Sequence, residues 1–466
     1  MSNFSLSPDQ KDALDKFVQW WNGNYKTNND KMFVLVGPAG SGKTTLVHQL
    51  IRNINLKEEN VVFCALSGQA SLVLRKKGNK NAFTIHSVFY KLEEETEEKL
   101  IFKKRDKLLE DYRLIVLDES SMINSDMLND IKSFNIPILV IGDKEQLPPV
   151  ESTSVNLLEH PDAELTTIHR QALLNPIIKY ATDIRLNRPR YLKEIELVSG
   201  DFYVVCVDRS RFTQEQLDET LIKSSQILVG THRIRKAVND RMRLLNGIDI
   251  NKNPLPVKGD KLICKRNSWK KTLTNQEIKT KILEKDTIKL FENIEKEDKT
   301  KYNFLSDDSI TSIEELEFYN YPLVNGTIGY ALSDVNIEVE ERFQKYFDKF
   351  GAINPYVTKL DFRPNYVSHQ VEYFEDLSIN IPFLLETNNN EETYTKLKNI
   401  IEDQEIVEKF YFDSFFQYGY AITVHSSQGS QYDNILIINE NFMKENYYRW
   451  LYTAVTRAVN SVIILK

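Results

Sequence analysis

A chain of 466 residues, 41% hydrophobic and 27% charged, has the material for about three globular domains and is not a disordered polymer. No apolar run approaches the roughly 20 residues that cross a bilayer and the N-terminus lacks a secretory apolar core, so a cytoplasmic protein with no membrane partner is expected. The formal charge of −7 argues against a nucleic-acid partner held by bulk electrostatics, though not against a strand gripped locally by hydrogen bonds and stacking.

Ser7-Pro8-Asp9-Gln10 opens a first helix, continued by Ala13, Leu14, Phe17, Val18, Trp20 and Trp21 at helical spacing. Gln10 admits two readings. It is the third helical residue of a capping box with Ser7, or its amide reads the adenine edge of a nucleotide. The residues alone favour the cap.

From Met32 an apolar run empties into Gly37-Pro38-Ala39-Gly40-Ser41-Gly42-Lys43-Thr44-Thr45 and then into Leu46-Val47-His48-Gln49-Leu50-Ile51. This is strand, phosphate loop, helix: the glycines turn backbone N–H groups around a polyphosphate, Lys43 reaches its β and γ groups, and the Thr44 hydroxyl can ligate Mg²⁺. The competing reading, a plain glycine turn, leaves the placement of strand and helix unexplained. A nucleoside triphosphate is expected.

Val61 to Leu66 is a second buried strand, ending in Ser67-Gly68-Gln69-Ala70-Ser71, with Thr84-Ile85-His86-Ser87 soon after. Such small polar residues suit phosphate contact, or serve merely as helix caps beside a satisfied histidine. The charged stretch from Phe89 to Asp111 has the composition of a short hairpin. Within it, Phe102 lies among Lys103, Lys104 and Arg105, as a base-stacking wedge requires; a core aromatic is the commoner fate.

Arg113 to Leu117 runs into Asp118-Glu119-Ser120-Ser121-Met122. A buried strand ending in paired carboxylates supplies Asp118 to hold Mg²⁺ and Glu119 to polarise the attacking water. Ile136 to Ile141 delivers Gly142-Asp143-Lys144-Glu145-Gln146-Leu147-Pro148-Pro149, whose Gln146 can report the γ-phosphate. Four such strands separated by helical segments predict a doubly wound parallel sheet with its ligand at the carboxyl ends. Cys64, Cys206 and Cys264 match no zinc spacing and read as buried thiols.

These residues resemble the RecD and Dda-like branch of superfamily 1B helicases, and later stretches extend the likeness. Glu164-Leu165-Thr166-Thr167-Ile168-His169-Arg170 is similar to its arginine-bearing motif, and Val229-Gly230-Thr231-His232-Arg233 with Asn239 to the next strand and helix. Thr423-Val424-His425-Ser426-Ser427-Gln428-Gly429 resembles its Thr-Val-His-x-Ser-Gln-Gly motif, and Tyr452-Thr453-Ala454-Val455-Thr456-Arg457-Ala458 its arginine finger. In length the chain is close to the branch's phage Dda members.

The resemblance implies an α/β protein of two RecA-like lobes, parallel sheets flanked by helices, with a small β-hairpin inserted in the first and a β-rich, barrel-like insertion in the second. The expected divisions are 1–165 for the first lobe with its pin at about 88–111, then 166–258 and 405–466 for the second, and 259–404 for the insertion. It implies ATP and Mg²⁺, with Arg170 and Arg457 facing the γ-phosphate, Gln428 and Gly429 at the nucleotide, and Gln10 on adenine. Single-stranded DNA would lie on Ser67, Gln69, Thr84 and His86 of one lobe and Thr423, His425 and Ser427 of the other. The implied activity is ATP-driven 5′ to 3′ translocation and unwinding at duplex forks by a monomer, with replication or single-strand-binding proteins as further partners.

Between the motifs, Gly259 to Cys264 and Val324 to Gly329 carry strand and turn signals, Lys270 to Glu317 reads as a solvated insertion, and 333–400 shows no interpretable motif. Two alternatives remain at this stage. One is a DNA-stimulated ATPase that strips proteins without robust unwinding. The other is a phosphate-loop switch, although a guanine-nucleotide switch should carry Asn-Lys-x-Asp and the nearest string is Asn251-Lys252-Asn253-Pro254.

Overall fold

The computed structural model describes residues 6–24, 31–79, 81–96, 99–120, 123–148, 157–168, 174–188, 192–266, 268–272, 274–275, 322–323, 325–339, 341, 344, 348, 356–365, 372–386, 414–440 and 446–466. Two compact units result. One takes Met1–Tyr90, Lys104–Leu245 and Ala421–Lys466; the other takes Lys91–Lys103 and Asn246–Tyr420.

The first unit opens with α1 (Pro8–Gln19). Ser7 Oγ accepts from the Gln10 amide at 3.4 Å and Gln10 Oε1 accepts from the Ser7 amide at 3.1 Å, a reciprocal capping box, with Pro8 placed where its missing N–H is harmless. The buried face of α1 packs Phe17 edge-on to Phe33, with ring centroids 5.3 Å apart, on strand β1 (Met32–Val36).

After α2 (Lys43–Asn53) come β2 (Val61–Ala65), α3 (Gly68–Lys76), β3 (Ala82–Thr84) and α4 (Ile85–Phe89). A hairpin of β4 (Tyr90–Thr96) and β5 (Lys99–Lys104) follows. Then β6 (Leu114–Leu117), α5 (Ser125–Lys132), β7 (Ile138–Gly142) and the short β8 (Ala163–Glu164) complete a six-stranded sheet of order β3-β2-β6-β7-β1-β8. All its pairings are parallel. Helices cover both faces of such a sheet, which is why β2, β6 and β7 are apolar throughout instead of alternating. Their carboxyl ends all present chemistry: Gly37 after β1, Ser67 after β2, Asp118 after β6, Asp143 after β7.

The unit's second sheet begins beyond α6 (Pro176–Asn187) with β9 (Ile195–Ser199), β10 (Phe202–Val207), α7 (Gln214–Lys223), β11 (Gln226–Val229) and α8 (His232–Leu245). In the other unit, β12 (Lys261–Cys264), β13 (Ile328–Ala331), β14 (Phe362–Pro364) and β15 (Phe416–Tyr418) form an antiparallel sheet of order β14-β13-β12-β15. Phe362, Phe374 and Phe416 centre its core, with Phe362 and Phe416 centroids 4.8 Å apart. The strand signals at Gly259 to Cys264 and Val324 to Gly329 correspond to β12 and β13. Most of Lys270 to Glu317, Asn388 to Asn390 and much of 333–400 lie outside the described residues.

The chain then re-enters the first unit with β16 (Ala421–Thr423), β17 (Tyr432–Ile438), α9 (Tyr447–Val455) and β18 (Ala458–Leu465). The second sheet has order β16-β11-β17-β18-β10-β9, parallel except where β9 turns back on β10. Asn239 on α8 pins its edge by donating to Ala421 O (3.0 Å) and accepting from Ala421 N (2.9 Å), so both polar groups of that residue are satisfied. The chain thus has an α/β architecture of two parallel-sheet lobes with a hairpin and a β-rich insertion. Cys64, Cys206 and Cys264 are buried and free. No helix among the described residues is long and apolar enough to cross a membrane.

Candidate functional site

The phosphate loop joins β1 to α2. Gly42, at the helix N-cap, holds a left-handed backbone (φ 79°), which turns the following N–H groups toward the loop's hollow at the positive end of the helix dipole. Lys43 Nζ donates to Gly37 O and, at 3.0 Å, to Pro38 O, so its ammonium lies across the loop's mouth. Ser41 Oγ donates to Pro38 O at 2.8 Å and closes the loop on itself. Thr44 and Thr45 are the next residues of α2.

Gln10 is fully buried, and both ends of its amide are engaged: Oε1 in the cap, Nε2 as donor to Ser41 O at 2.9 Å. The two readings of this residue therefore acquire a third, a tie between α1 and the phosphate loop. An adenine would have to share the Gln10 oxygen or displace Ser41 O. The adjacent Asp9 Oδ2 accepts from the Thr166 and Thr167 amides, both at 2.8 Å, and so fixes the approach to Arg170, which itself lies outside the described residues. Partial burial works to raise the Asp9 pKa, but hydrogen bonds from Ser7, Thr167 and Thr166 outweigh it and bring the group down to about 2.

Beyond β6, Asp118 Oδ1 accepts from the Glu119 amide at 2.9 Å. Glu119 has φ 51°, a left-handed conformation disfavoured for a side chain with a Cβ. Burial, with the neighbouring Glu119 charge, pushes Asp118 up to about 6. A carboxylate so strained toward neutrality, with the Thr44 hydroxyl as a second hard oxygen donor, suits a small divalent cation that also takes phosphate oxygens and water. Among the described residues there is no all-protein cluster of three acidic, histidine or cysteine ligands.

Gln146 joins this end of the first sheet to the second. With its amide oxygen turned to Arg457 it accepts from Nη2 at 2.9 Å and donates to Glu119 Oε2 at 3.2 Å. Arg457 is buried, and its Nη1 is 3.6 Å from Glu119 Oε1. The structure thus brings Glu119, Gln146 and Arg457 together from remote parts of the sequence.

Sequence reasoning missed a second set of contacts between the two sheets. Tyr452 Oη donates to Asp143 Oδ2 at 2.6 Å and accepts from Ala39 N at 2.9 Å; Thr453 Oγ1 accepts from Leu147 N at 2.9 Å; Gln428 Nε2 donates to Leu147 O at 2.9 Å. Gln428 is accordingly engaged with the loop after β7. Gly429 (φ 74°) allows a close approach: a Cβ there would lie 3.0 Å from Ala70 Cβ and 3.5 Å from Ser67 Oγ. The available signal for Asp143 was its place just past a parallel strand, the same position as Asp118.

Of the residues expected on a DNA strand, Ser67 caps α3 by accepting from Ala70 N at 3.1 Å, and Thr84 caps α4 by accepting from Ser87 N at 3.2 Å. Thr423 Oγ1 pairs with Ser426 Oγ at 3.0 Å. Burial lowers the pKa of His86; burial and His232 lower that of His425, so both imidazoles are neutral at pH 7 and suit hydrogen bonding over ion pairing. Ser427 is turned inward: it is fully buried, and its Oγ donates to Val424 O at 2.7 Å. Gln69 and Phe102 sit on α3 and β5; their side chains lie outside the described residues.

An AAA-domain family model matches residues 5–208, and a UvrD-like helicase C-terminal domain model matches 418–465. The two matches hold the two halves of the site, Lys43, Glu119 and Gln146 in one and Gln428, Tyr452 and Arg457 in the other. These two matches, with the relatives that follow, support a superfamily 1B helicase. The ATP-dependent DNA helicase dda of Enterobacteria phage T4 is 32% identical over 173 residues, 34% of this chain and 39% of that protein. The ATP-dependent RecD2 DNA helicase of Deinococcus radiodurans is 28% identical over 186 residues, covering 38% and 23%. The RecBCD enzyme subunit RecD of Buchnera aphidicola is 25% identical over 468 aligned positions, covering 92% and 69%. The matched region spans less than half the length of the first two of these relatives.

Proposed function

We propose that this chain is an ATP-driven DNA helicase: it hydrolyses ATP between its two parallel-sheet lobes, steps along single-stranded DNA in the 5′ to 3′ direction implied by its family, and separates duplex at forks. The Glu119–Gln146–Arg457 contact carries this reading, because it joins a water-polarising carboxylate, a phosphate-sensing amide and a phosphate-neutralising cation beside one phosphate loop.

In the proposed cycle the loop N–H groups and Lys43 take the β and γ phosphates, and Glu119 orients and deprotonates the attacking water. Gln146 registers the γ-phosphate. Arg457 exchanges its carboxylate partner for phosphate oxygens, with Arg170 as the second cation. Thr44 and Asp118 would hold Mg²⁺, which supplies charge neutralisation on the phosphate oxygens. Loss of the γ-phosphate releases Gln146 and Arg457, and with them the grip of α9 on the first lobe. Ser67, Gln69, Thr84 and His86 on one lobe and Thr423 and His425 on the other form the strand-contacting surface in this scheme, alternately tightened as the lobes close. A base-pair step costs about 1.4 kcal/mol on average, so a modest wedge, here Phe102 on the pin, suffices to convert translocation into unwinding. The scheme needs one copy of the chain; single-strand-binding or replication proteins are proposed as further partners and the host cytoplasm as its location.

Matched duplexes with 5′ or 3′ single-stranded tails test class and polarity together. Unwinding of the 5′-tailed substrate alone, with turnover strongly raised by oligonucleotide, is expected. Turnover indifferent to oligonucleotide across salt concentrations overturns the reading; stimulated turnover without unwinding identifies a translocase.

A further inference from the structure

The first lobe's Ala39 and Asp143 belong to different loops, one after β1 and one after β7, and a single atom from the second lobe holds both. Tyr452 is 1% exposed, so its hydroxyl exchanges little with water, and it uses one hydrogen-bonding function on each loop. Its neighbour Thr453 takes the Leu147 amide further along the same 143–147 loop, whose Gln146 touches Glu119 and Arg457. One turn of α9 thereby determines where the β7 loop and the phosphate loop stand relative to each other.

We propose that Tyr452 is a positioning residue for ATP hydrolysis: by bridging the Ala39 amide and the Asp143 carboxylate, it gives the phosphate loop its catalytic shape only when α9 of the second lobe is seated. This rests on the ATPase reading above. Three observations support it. The bridge is direct on both sides, with heavy-atom distances of 2.9 and 2.6 Å. The hydroxyl stays protonated and able to donate, since burial and then the Asp143 charge push its pKa far above the usual value for tyrosine. Asp143 takes its other support from the Glu145 amide at 3.0 Å, within its own loop, whereas the Tyr452 hydroxyl reaches its carboxylate from the second lobe. When the lobes part, Ala39 and Asp143 lose a partner in the same event; nucleotide affinity then changes little, whereas the geometry required for bond breaking is lost.

Tyr452→Phe deletes the hydroxyl and keeps the ring. The turnover number should fall roughly tenfold or more, the range of a hydrogen bond to a charged group, while the KM for ATP changes less than about twofold. In the presence of an oligo-dT strand, affinity for ADP with aluminium fluoride should drop by the same factor as turnover, and affinity for ADP alone should hold. Unchanged turnover, or equal weakening of ADP and the transition-state analogue, overturns the assignment. A second measurement needs no variant: in the wild-type protein the Ala39 amide should exchange with deuterium well below the rate of an unbonded loop amide, and exchange at the free-peptide rate overturns the bridge. Wild-type turnover is the separate check on the ATPase reading, and the Ala39 measurement stands whatever that turnover proves to be.

Discussion

Arg457 Nη1 lies 3.6 Å from Glu119 Oε1, with Gln146 hydrogen-bonded to both residues. The cation is buried and the carboxylate partly so, which makes this more than a surface ion pair; removing either member leaves the other in a poorly solvated place. The proposed chemistry uses that tension. Arg457 can leave Glu119 for phosphate oxygens only when a phosphate is present to replace the lost partner.

Glu119→Gln should keep ATP binding and lose about 10²–10⁴-fold in turnover, the span of a general base. Lys43→Ala should abolish turnover as well, but by a different route, since it removes the ammonium that spans Gly37 O and Pro38 O. Equilibrium binding of a fluorescent ATP analogue separates them: retained for the first, weakened for the second. Appreciable hydrolysis by Glu119→Gln would reassign the base.

Arg457→Ala should lower turnover about 10³-fold or more, in the range of arginine fingers. Gln146→Ala should cost less, and the double variant little more than Arg457→Ala, because residues in one hydrogen-bonded group do not contribute additively. Single-turnover phosphate release on all three proteins measures this; costs that simply add would mean that the two side chains act independently.

Gly429→Ala introduces a Cβ onto a left-handed backbone and against Ala70 Cβ. The backbone term alone is roughly 1–2 kcal/mol. DNA-stimulated turnover should fall about tenfold, with basal turnover less affected, if the approach of Gly429 to Ser67 and Ala70 matters to coupling. Assays with and without oligonucleotide distinguish this from a uniform loss.

Asp9 carries a pH prediction. Its folded pKa of about 2 lies below the ordinary 3.8, so its contribution to stability is fully present above the ordinary value and is lost as pH falls from about 4 toward 2. Asp9→Asn should therefore be less stable than wild type by a constant amount at pH 5 to 8, and the gap should shrink below about pH 4 and close only below about pH 2. Urea midpoints across that range check the sign; a gap that widened in acid would contradict it.

The first lobe was largely legible because a buried parallel strand leaves a local record. The runs at Val61, Leu114 and Ile138 are apolar on both faces, and each ends in the small polar or acidic residues the carboxyl ends need. By contrast β8 has only two residues and no pattern to read. The second sheet was legible only through family resemblance, since its β10–β18 pairing is recorded in no local window. At the site, Lys43, Asp118, Glu119 and Gln146 could be read from motif spacing, and Arg457 only from the family resemblance. Tyr452 could not: an aromatic on an apolar helix looks like core, and it is core except for one oxygen. Ser427 erred in the opposite direction, since a serine in a polar motif gives no hint that a single-turn 3-10 segment will direct it inward.

The order of strands in the second sheet has a consequence for how the protein is made. Strands β9, β10 and β11 precede the long excursion through Asn246–Tyr420, whereas β16, β17 and β18 follow it, and β11 of the early set lies between β16 and β17 of the late one. The first sheet, drawn from one continuous stretch, can assemble on a nascent chain, but the second must wait until distant segments meet, and such non-local pairing is slow. A half-synthesised molecule would thus carry a finished phosphate cradle with neither Tyr452 nor Arg457 to complete it; under the proposed function, such a chain consumes no fuel until translation has passed both residues.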